Sequence, residues 1–243
     1  MLTIIAYSFS QPALLTRNPF SKSLILLLFS IAFFSSEPAH AFGKRPLAPS
    51  SPQPSAPPAT TAPSEDVIRA RWEPKARDGA AWSKHVFERI PALAPELLSS
   101  APKDIAEFCP AYANLGETDR KNFWVYLVSA MAELESDFDP ENVYKESFLD
   151  SKGNPVLSIG LLQLSLSDAS IYGCQFSSNE DIKEPNRNLD CGLRILNKWV
   201  GKDRLISGKA GTSWGGGSRY WSTLRAPKVN QIKGWTRALR ICG

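Results

Sequence analysis

From Glu65 onward, apolar positions recur mostly at the spacing of helices. Pro74, Pro91 and Pro102 are predicted to divide the first part of this region into short helices. Residues 147–158 alternate instead and contain an Asp-Ser-Lys-Gly-Asn turn, which predicts two short strands. The pattern therefore predicts a predominantly helical α+β domain with one small β-hairpin. The predicted helices span 65–71, 78–90, 93–99, 117–138, 165–172, 186–200, 218–224 and 228–240.

The longest predicted helix, residues 117–138, carries two glutamates on opposite faces. Thr118 is its predicted N-cap, and Pro140 is predicted to end it because the residue before a proline disfavours the α conformation. At about 100° per residue, Glu135 lies in the middle of an apolar stripe. Glu133 lies on the opposite face, where we expect a solvated charge. The stripe consists of Trp124, Leu127, Val128, Met131 and Phe138.

Its position on an apolar face predicts a raised pKa for Glu135. Burial disfavours the charged carboxylate, and the negative end of the helix dipole acts in the same direction. A carboxylic acid that keeps its proton near neutral pH can serve as a general acid. The structural alternative is a glutamate that pairs with a buried arginine such as Arg194, or one that reaches solvent at the helix end.

The N-terminal sequence predicts export. Arg17 and Lys22 precede an uncharged apolar stretch at 23–36, and residues 39–41 read Ala-His-Ala, a small-x-small cleavage pattern. Residues 1–41 are therefore predicted to be a signal peptide that is cleaved after Ala41. An uncleaved anchor is the alternative. We expect a periplasmic or secreted protein with no membrane span after cleavage.

The next segment, residues 42–64, is rich in proline, serine and alanine. Such a composition buries too little apolar surface to fold, so this segment is predicted to be a disordered linker. The folded domain is then expected to span residues 65–243.

Four cysteines follow the predicted signal peptide. An even number in an exported protein favours two disulfides. Four cysteines allow three pairings, and the sequence does not choose among them. We favour Cys174–Cys191, which closes a local loop, and Cys109–Cys242, which ties the ends of the domain together. Buried free thiols are the alternative.

The charge balance and histidine content exclude several chemistries. The formal net charge is +4, which suits an anionic polymer, but no Lys/Arg run or aromatic–basic interleaving indicates a nucleic-acid partner. Once the signal peptide is removed, His85 is the only histidine, and the chain has no C-x-x-C pair. We therefore expect no metal site and no cofactor.

Three motifs follow one another in a familiar order. They are Glu-Ser-Asp-Phe-Asp-Pro at 135–140, Gly-Leu-Leu-Gln-Leu at 160–164, and Asn-Leu-Asp-Cys-Gly-Leu-Arg-Ile-Leu at 188–196. The region around them resembles the catalytic domain of soluble lytic transglycosylases, whose marks are E-S-x-F-N-P, G-L-M-Q and an asparagine–glycine motif. The resemblance implies a lysozyme-like fold with its motif core at 117–225.

The resemblance implies that Glu135 is the catalytic acid and base. The matching glutamate of the family protonates the β-1,4 glycosidic oxygen between N-acetylmuramic acid (MurNAc) and N-acetylglucosamine (GlcNAc). As a carboxylate it then takes the proton of the muramyl 6-hydroxyl, which closes a 1,6-anhydro ring. Gln163 matches a glutamine that lines the sugar groove, and Gly160 matches a glycine that lets the backbone approach the active-site helix. The expected partner is a peptidoglycan glycan strand, bound by a monomer.

The sequence departs from the family in three places, one of which is a longer link to Gly160 through the Gly153 turn. Tyr144 stands where the family has a serine, ten positions into its first motif. The later A-Y-N-x-G signature is missing, and Trp214 or Tyr220 is expected to replace its tyrosine. Together with Gln163 and Ser158, these three aromatic residues are the predicted substrate-binding residues.

A second carboxylate would change the reaction. In two-carboxylate glycosidases it acts as the nucleophile or activates water, whereas transglycosylases use the acetamido group and 6-hydroxyl of the substrate. Asp150, in the predicted turn, is the candidate, and a purely turn-forming aspartate is its alternative interpretation. A hydrolytic muramidase, able to act on deacetylated glycans, is therefore the alternative to a transglycosylase. The alternative of another class is a non-catalytic cell-wall-binding module.

Overall fold

The computed structural model describes residues 68–243, so the predicted signal peptide (1–41) and linker (42–64) lie outside the described residues. The described part is mostly helical with small antiparallel sheets, which confirms the predicted fold class. Its helices are α1 (Gly79–Leu93), α2 (Pro95–Ser99), α3 (Ile105–Phe108), α4 (Glu117–Ser136), α5 (Asp168–Tyr172), α6 (Asn179–Lys183), α7 (Pro185–Asp203) and α8 (Lys228–Arg237). Its strands are β1 (Val143–Leu149), β2 (Pro155–Ile159), β3 (Lys209–Ala210) and β4 (Ser213–Trp214).

Helix α4 lies at the centre of the domain, with α1, α2 and α8 packed around it. Buried side chains lie on all faces of α4. The buried surface of the helix is therefore wider than the single apolar stripe that the sequence predicted. Two of its aromatic residues, Phe123 and Trp124, are fully buried, and the Trp124 indole Nε1 donates hydrogen bonds to Leu97 O at 2.9 Å and to the Tyr112 hydroxyl at 2.8 Å. The catalytic candidate is therefore carried by the most enclosed helix of the described chain.

Both ends of α4 differ from the sequence prediction, which gave Thr118 as the N-cap and placed the C-terminal end at residue 138. The N-cap is Gly116, and Thr118 lies inside the first turn. The helix ends at Ser136 because Asp137 and Phe138 both adopt left-handed conformations, with φ of 52° and 66°. Two successive left-handed residues turn the chain out of the helix before Pro140 can affect it. Phe138 consequently does not belong to the helical stripe.

The expectation that Glu133 is solvated is wrong. Its side chain is only 13% exposed, and it accepts hydrogen bonds from Arg71 and from Lys75 Nζ, the latter at 2.6 Å. Arg71 is held there because its backbone N–H also donates to the Ser129 hydroxyl at 2.9 Å. A segment far away in the sequence thus covers the face that helical phase alone assigns to water.

Several other boundaries also differ. Pro91 does not separate two helices, because α1 continues through it and stops at Ala94, where Pro95 begins α2. Residues 68–70 of the predicted helix 65–71 are irregular, and turns follow them. The predicted helix 218–224 is two short 3-10 segments, Gly216–Arg219 and Ser222–Leu224. The sequence prediction also lacks α3, α6, the 3-10 segments Tyr112–Asn114 and Arg240–Cys242, and the β3–β4 pair.

The predicted hairpin is present, but it is longer than the sequence indicated. Strand β1 begins at Val143 rather than near residue 147, and it pairs with β2 so that Tyr144 lies opposite Ser158. Every β1 residue except Glu146 is exposed, so the strand is largely uncovered on both sides. The hairpin therefore offers side chains to a ligand rather than to the core.

Two disulfides close the described chain, Cys109–Cys242 and Cys174–Cys191. They are the two pairings that the sequence analysis favoured. The first joins positions 133 residues apart and fastens the C-terminus to the end of α3, whereas the second closes a separation of 17 residues. Within residues 68–243, no helix has the length and apolarity needed to cross a membrane.

The three sequence motifs meet around the buried amide of Asn188. Its Oδ1 accepts the backbone N–H of Leu162 at 3.0 Å, and its Nδ2 donates to Ile159 O and Ile182 O at 3.1 and 2.9 Å. The Ser136 hydroxyl, from the first motif, donates to Leu161 O at 3.0 Å. One amide and one hydroxyl thus connect the end of α4, the loop after β2 and helix α7.

Position 160 requires a glycine because other groups lie too close for a Cβ. These groups are not on the active-site helix, where the resemblance placed them. The φ of Gly160 is 76°, and a Cβ there would lie 2.6 Å from Asn188 Nδ2 and 2.8 Å from Ile182 O. The backbone therefore approaches α7 and α6, whereas the expected approach was to the active-site helix. The reason is that the Asn188 amide needs direct access to the loop backbone.

Candidate active site

A groove of about 1100 Å³ runs between the hairpin, the end of α4, helix α5 and the segment that precedes α8. Most of the site residues predicted from the sequence line it. These are Glu135, Tyr144, Asp150, Ser158, Gln163 and Tyr220. Trp214, the remaining predicted residue, does not line the groove.

Glu135 lies partly buried in the groove wall at the last turn of α4. Burial raises the pKa of its carboxyl group, and the nearby charge of Glu146 acts in the same direction. A hydrogen bond donated by the Thr223 hydroxyl and the positive charge of Lys228 lower the pKa, but burial dominates and the pKa of Glu135 is raised overall. This confirms the direction predicted from helical phase. Arg194, the alternative partner, lines a separate depression.

Glu133 shows the opposite balance two positions away on the same helix. Burial would raise the pKa of its carboxyl group, but the hydrogen bonds from Arg71 and Lys75 outweigh that effect and lower it. Glu133 is therefore an ion-pair partner with a lowered pKa, whereas burial shifts the pKa of Glu135 upward, the direction that a general acid needs.

Glu146 is a second groove carboxylate, which the sequence analysis missed. It accepts a hydrogen bond from the Ser158 hydroxyl at 2.6 Å across the hairpin, so Ser158 orients this carboxylate. The signal was present in the sequence, because strand periodicity places Tyr144, Glu146 and Phe148 on one side of β1. It was missed because the strand was predicted to begin only near residue 147.

Asp150 lies at the groove end of the hairpin, but its carboxylate is engaged in the turn. Oδ1 accepts the backbone N–H groups of Lys152 and Asn154, both at 2.8 Å. The hydrogen bonds from Asn154 and Lys152 lower the pKa of Asp150, which is fully exposed. The group is therefore a charged, turn-stabilising aspartate that also borders the groove.

Gln163 holds the base of the hairpin. It has a left-handed backbone with φ of 50°, and its amide Nε2 donates to Gly160 O at 3.0 Å and to Asn142 O at 3.3 Å. These bonds fix the start of β1 beside the loop of the second motif. The side chain lies in the groove wall, where the resemblance placed it.

Of the two aromatic residues considered for the missing family tyrosine, only Tyr220 lies in the groove. Its hydroxyl donates to the buried carboxylate of Asp168, and its ring packs 4.7 Å from that of Trp221. Burial raises the pKa of Asp168 despite this hydrogen bond. Trp214 instead stacks under Lys209, whose Nζ is 3.9 Å from the ring centroid.

Comparison with known proteins identifies the family. The family model of the transglycosylase SLT domain matches residues 113–207. A solved structure of Bd0314 DslA in its wild-type form is 43% identical, with a TM-score of 0.71, and the match covers 74% of this chain and 100% of that one. A DslA variant with one glutamate changed to glutamine is 42% identical, with a TM-score of 0.70, and the match covers 72% of this chain and 98% of that one. The chain belongs to the transglycosylase SLT domain family. No curated protein is similar enough to match.

The match to the SLT domain covers the three motifs but not the whole site. It includes Glu135, Glu146 and Gln163, and it ends before Thr223 and Lys228. The last two come from the segment before α8 and from its first residue, where the family's A-Y-N-x-G signature is absent. Two of the residues that act on the Glu135 carboxyl, Thr223 and Lys228, therefore come from the C-terminal part of the chain, which the family model does not match.

Proposed function

We propose that this protein cleaves peptidoglycan glycan strands at MurNAc–GlcNAc β-1,4 bonds, with Glu135 as the general acid. The observation that carries this proposal is the Glu135 carboxyl, which borders an open groove with a pKa raised by burial. A protonated carboxyl can give its proton to the glycosidic oxygen as the bond breaks. Membership of the SLT family supports peptidoglycan as the polymer.

In the transglycosylase form of the reaction, Glu135 acts twice. It first protonates the leaving oxygen of GlcNAc, and the substrate's acetamido group supports the positive charge that develops at C1 of MurNAc. The resulting carboxylate then removes the proton of the muramyl 6-hydroxyl, whose oxygen attacks C1. The Thr223 hydroxyl donates to Glu135 Oε1 and so favours this charged second state. The products are a free GlcNAc end and a 1,6-anhydro-MurNAc end.

A hydrolytic reaction is the second candidate, and Glu146 favours it. This carboxylate borders the same groove and is close enough to influence the pKa of Glu135. Two of the solved DslA structures carry single glutamate-to-glutamine changes eleven positions apart, which is also the separation of Glu135 and Glu146. A second carboxylate could activate water without help from the acetamido group, so this reaction would extend to deacetylated glycans.

Digestion of purified sacculi tests the proposed function and separates the two reactions. We expect the protein to release soluble muropeptides with anhydro ends, which borohydride does not reduce, if it is a transglycosylase. Reducible muramic ends, identified by mass spectrometry after borohydride treatment, would establish hydrolysis. Failure to release any glycan fragment would contradict the proposal and favour the non-catalytic wall-binding module.

Glu146→Gln tests the hydrolytic candidate. The glutamine keeps the shape but cannot accept a proton from water, so the yield of reducible ends is expected to fall by about 10²-fold. Anhydro ends should persist, because their formation does not require this carboxylate. Asp150→Asn, in the turn that follows β1, is the matched control, and it should leave the product ratio unchanged. The opposite ranking of the two variants would identify Asp150 as the second carboxylate.

We also propose that the protein works in the periplasm or outside the cell. The two disulfides support this location, because such bonds persist in oxidising compartments. The proposed substrate also lies outside the cytoplasm. The signal peptide predicted at residues 1–41 would provide the export route.

A further inference from the structure

Apart from Glu135 and from Asp168, whose buried carboxylate accepts a hydrogen bond from the Tyr220 hydroxyl, the charged side chains that line the groove are divided between two sides. On the hairpin side, Glu146 and Asp150 are acidic. On the α8 side, defined by Arg225 and Lys228, the lining is basic. Glu135 lies between them and responds to both, since Glu146 raises its pKa and Lys228 lowers it. The groove therefore presents an electrostatic gradient across the bound strand.

The two cations of the α8 side have no carboxylate partner among residues 68–243. Arg225 donates only to backbone carbonyls, with Nε 2.9 Å from Ser218 O, and its guanidinium carbon lies 5.0 Å from the Trp214 ring centroid. Lys228 is exposed, forms no hydrogen bond or ion pair with any residue of 68–243, and acts on Glu135 only through its charge. Other cations of the described chain do pair with carboxylates, including Arg71, Lys75, Arg89, Lys121, Lys183, Arg187, Arg219 and Lys233. The positive charge of the α8 side is therefore available to a ligand.

The proposed substrate carries negative charge next to the bond that is cut. The scissile bond leaves C1 of MurNAc, and O3 of the same sugar bears the lactyl group to which the stem peptide is attached. The first residues of that peptide therefore start beside the groove whenever the bond lies next to Glu135, and their free carboxylates are within reach of its walls. They would be repelled by the hairpin side and attracted by the α8 side.

We propose that Arg225 and Lys228 bind a carboxylate of the stem peptide, so that the site recognises peptide-bearing glycan rather than glycan alone. This inference rests on the proposed function. The separation of acidic and basic side chains also sets the direction in which the glycan strand binds, because only one orientation places the stem peptide on the α8 side. Lys228 is the residue to vary, since Arg225 additionally holds the 216–219 turn through Ser218 O.

Sedimentation with sacculi tests the proposal in a Glu135→Gln background, which binds without cutting. Two preparations are compared: native sacculi, and sacculi whose carboxylates have been converted to methylamides with carbodiimide and methylamine. Lys228→Gln is expected to weaken binding to native sacculi about three- to fivefold, as for a solvent-accessible ion pair. On amidated sacculi the same substitution should have no effect.

Lys103→Gln is the matched control, because it removes the same charge from an exposed lysine outside the groove. Equal weakening by both variants, or equal weakening by Lys228→Gln on both sacculi, would overturn the proposal. So would a Glu135→Gln protein that does not bind native sacculi. If the parent protein fails to cut sacculi but the Lys228 effect keeps its dependence on carboxylates, recognition stands and the proposed catalysis fails.

Discussion

Replacement of Glu135 by glutamine is expected to slow glycan cleavage by about 10²- to 10⁴-fold, the usual contribution of a positioned general acid. Glutamine has nearly the same volume and can still accept the hydrogen bond from Thr223, so the fold should be retained. It cannot protonate the glycosidic oxygen. The measurement is the rate of muropeptide release from sacculi, with circular dichroism to confirm that the variant is folded.

Glu133→Gln is the matched control for this variant. Both glutamates lie on α4, but Glu133 is bound to Arg71 and Lys75 and does not line the groove. Its substitution should lower stability while preserving the cleavage rate per folded molecule. A Glu135→Gln protein with full activity would refute the catalytic assignment.

The pH dependence gives a further readout of the same residue. Because the general acid must be protonated, the rate should fall as pH rises through the pKa of Glu135, and burial shifts that pKa upward from its ordinary value. Thr223→Val removes a hydrogen bond that favours the charged form, so it should move the alkaline limb to still higher pH. A rate that is flat with pH through this range would contradict the role of Glu135.

Loss of the Cys109–Cys242 disulfide is expected to cause the largest change in stability. In the chain-entropy model, a cross-link over a loop of this length stabilises by about 4–5 kcal/mol, compared with about 3 kcal/mol for a loop as short as that of Cys174–Cys191. The ends of the longer loop are 133 positions apart, and the loop contains α4, the hairpin and α7. Removing the bond therefore frees most of the described chain, from Cys109 to Cys242, in the unfolded state.

Urea unfolding of two double variants measures this difference. Cys109→Ser with Cys242→Ser should lower the free energy of unfolding more than Cys174→Ser with Cys191→Ser. Reduction of the parent protein with a thiol breaks both bonds, so it should lower the free energy of unfolding at least as much as the first double variant. A larger loss from the local bond would mean that packing around α7, rather than loop closure, dominates the effect.

Much of the candidate site could be predicted from patterns of neighbouring residues in the sequence. Helical phase placed Glu135 on a buried face, and the raised pKa follows from that position. The same phase argument failed for Glu133, because it assumed that the opposite face meets water. Arg71, 62 positions earlier in the chain, covers that face instead. Periodicity reports which residues share a face, but it cannot report what packs against the face.

Glu146 shows a different limit. Its alternation with Tyr144 and Phe148 is visible in the sequence, but an exposed strand has no apolar side to mark where it begins. The hairpin is predictable from its turn, whereas its length is not. Only the pairing of Tyr144 with Ser158 established that the strand reaches the groove.

The sequence by itself determined the helical α+β class, the position of Glu135 and the order of the three motifs. These features depend on residues that are close along the chain or follow one repeating period. The tertiary structure alone decided which groups surround the Glu135 carboxyl, namely Glu146 on one side and Thr223 and Lys228 on the other. Thr223 lies 88 positions from Glu135, and such neighbours are set by packing rather than by spacing. The residue that we propose as the acid was therefore recognisable from the sequence, whereas the groups that set its pKa and the charged sides of its groove were not.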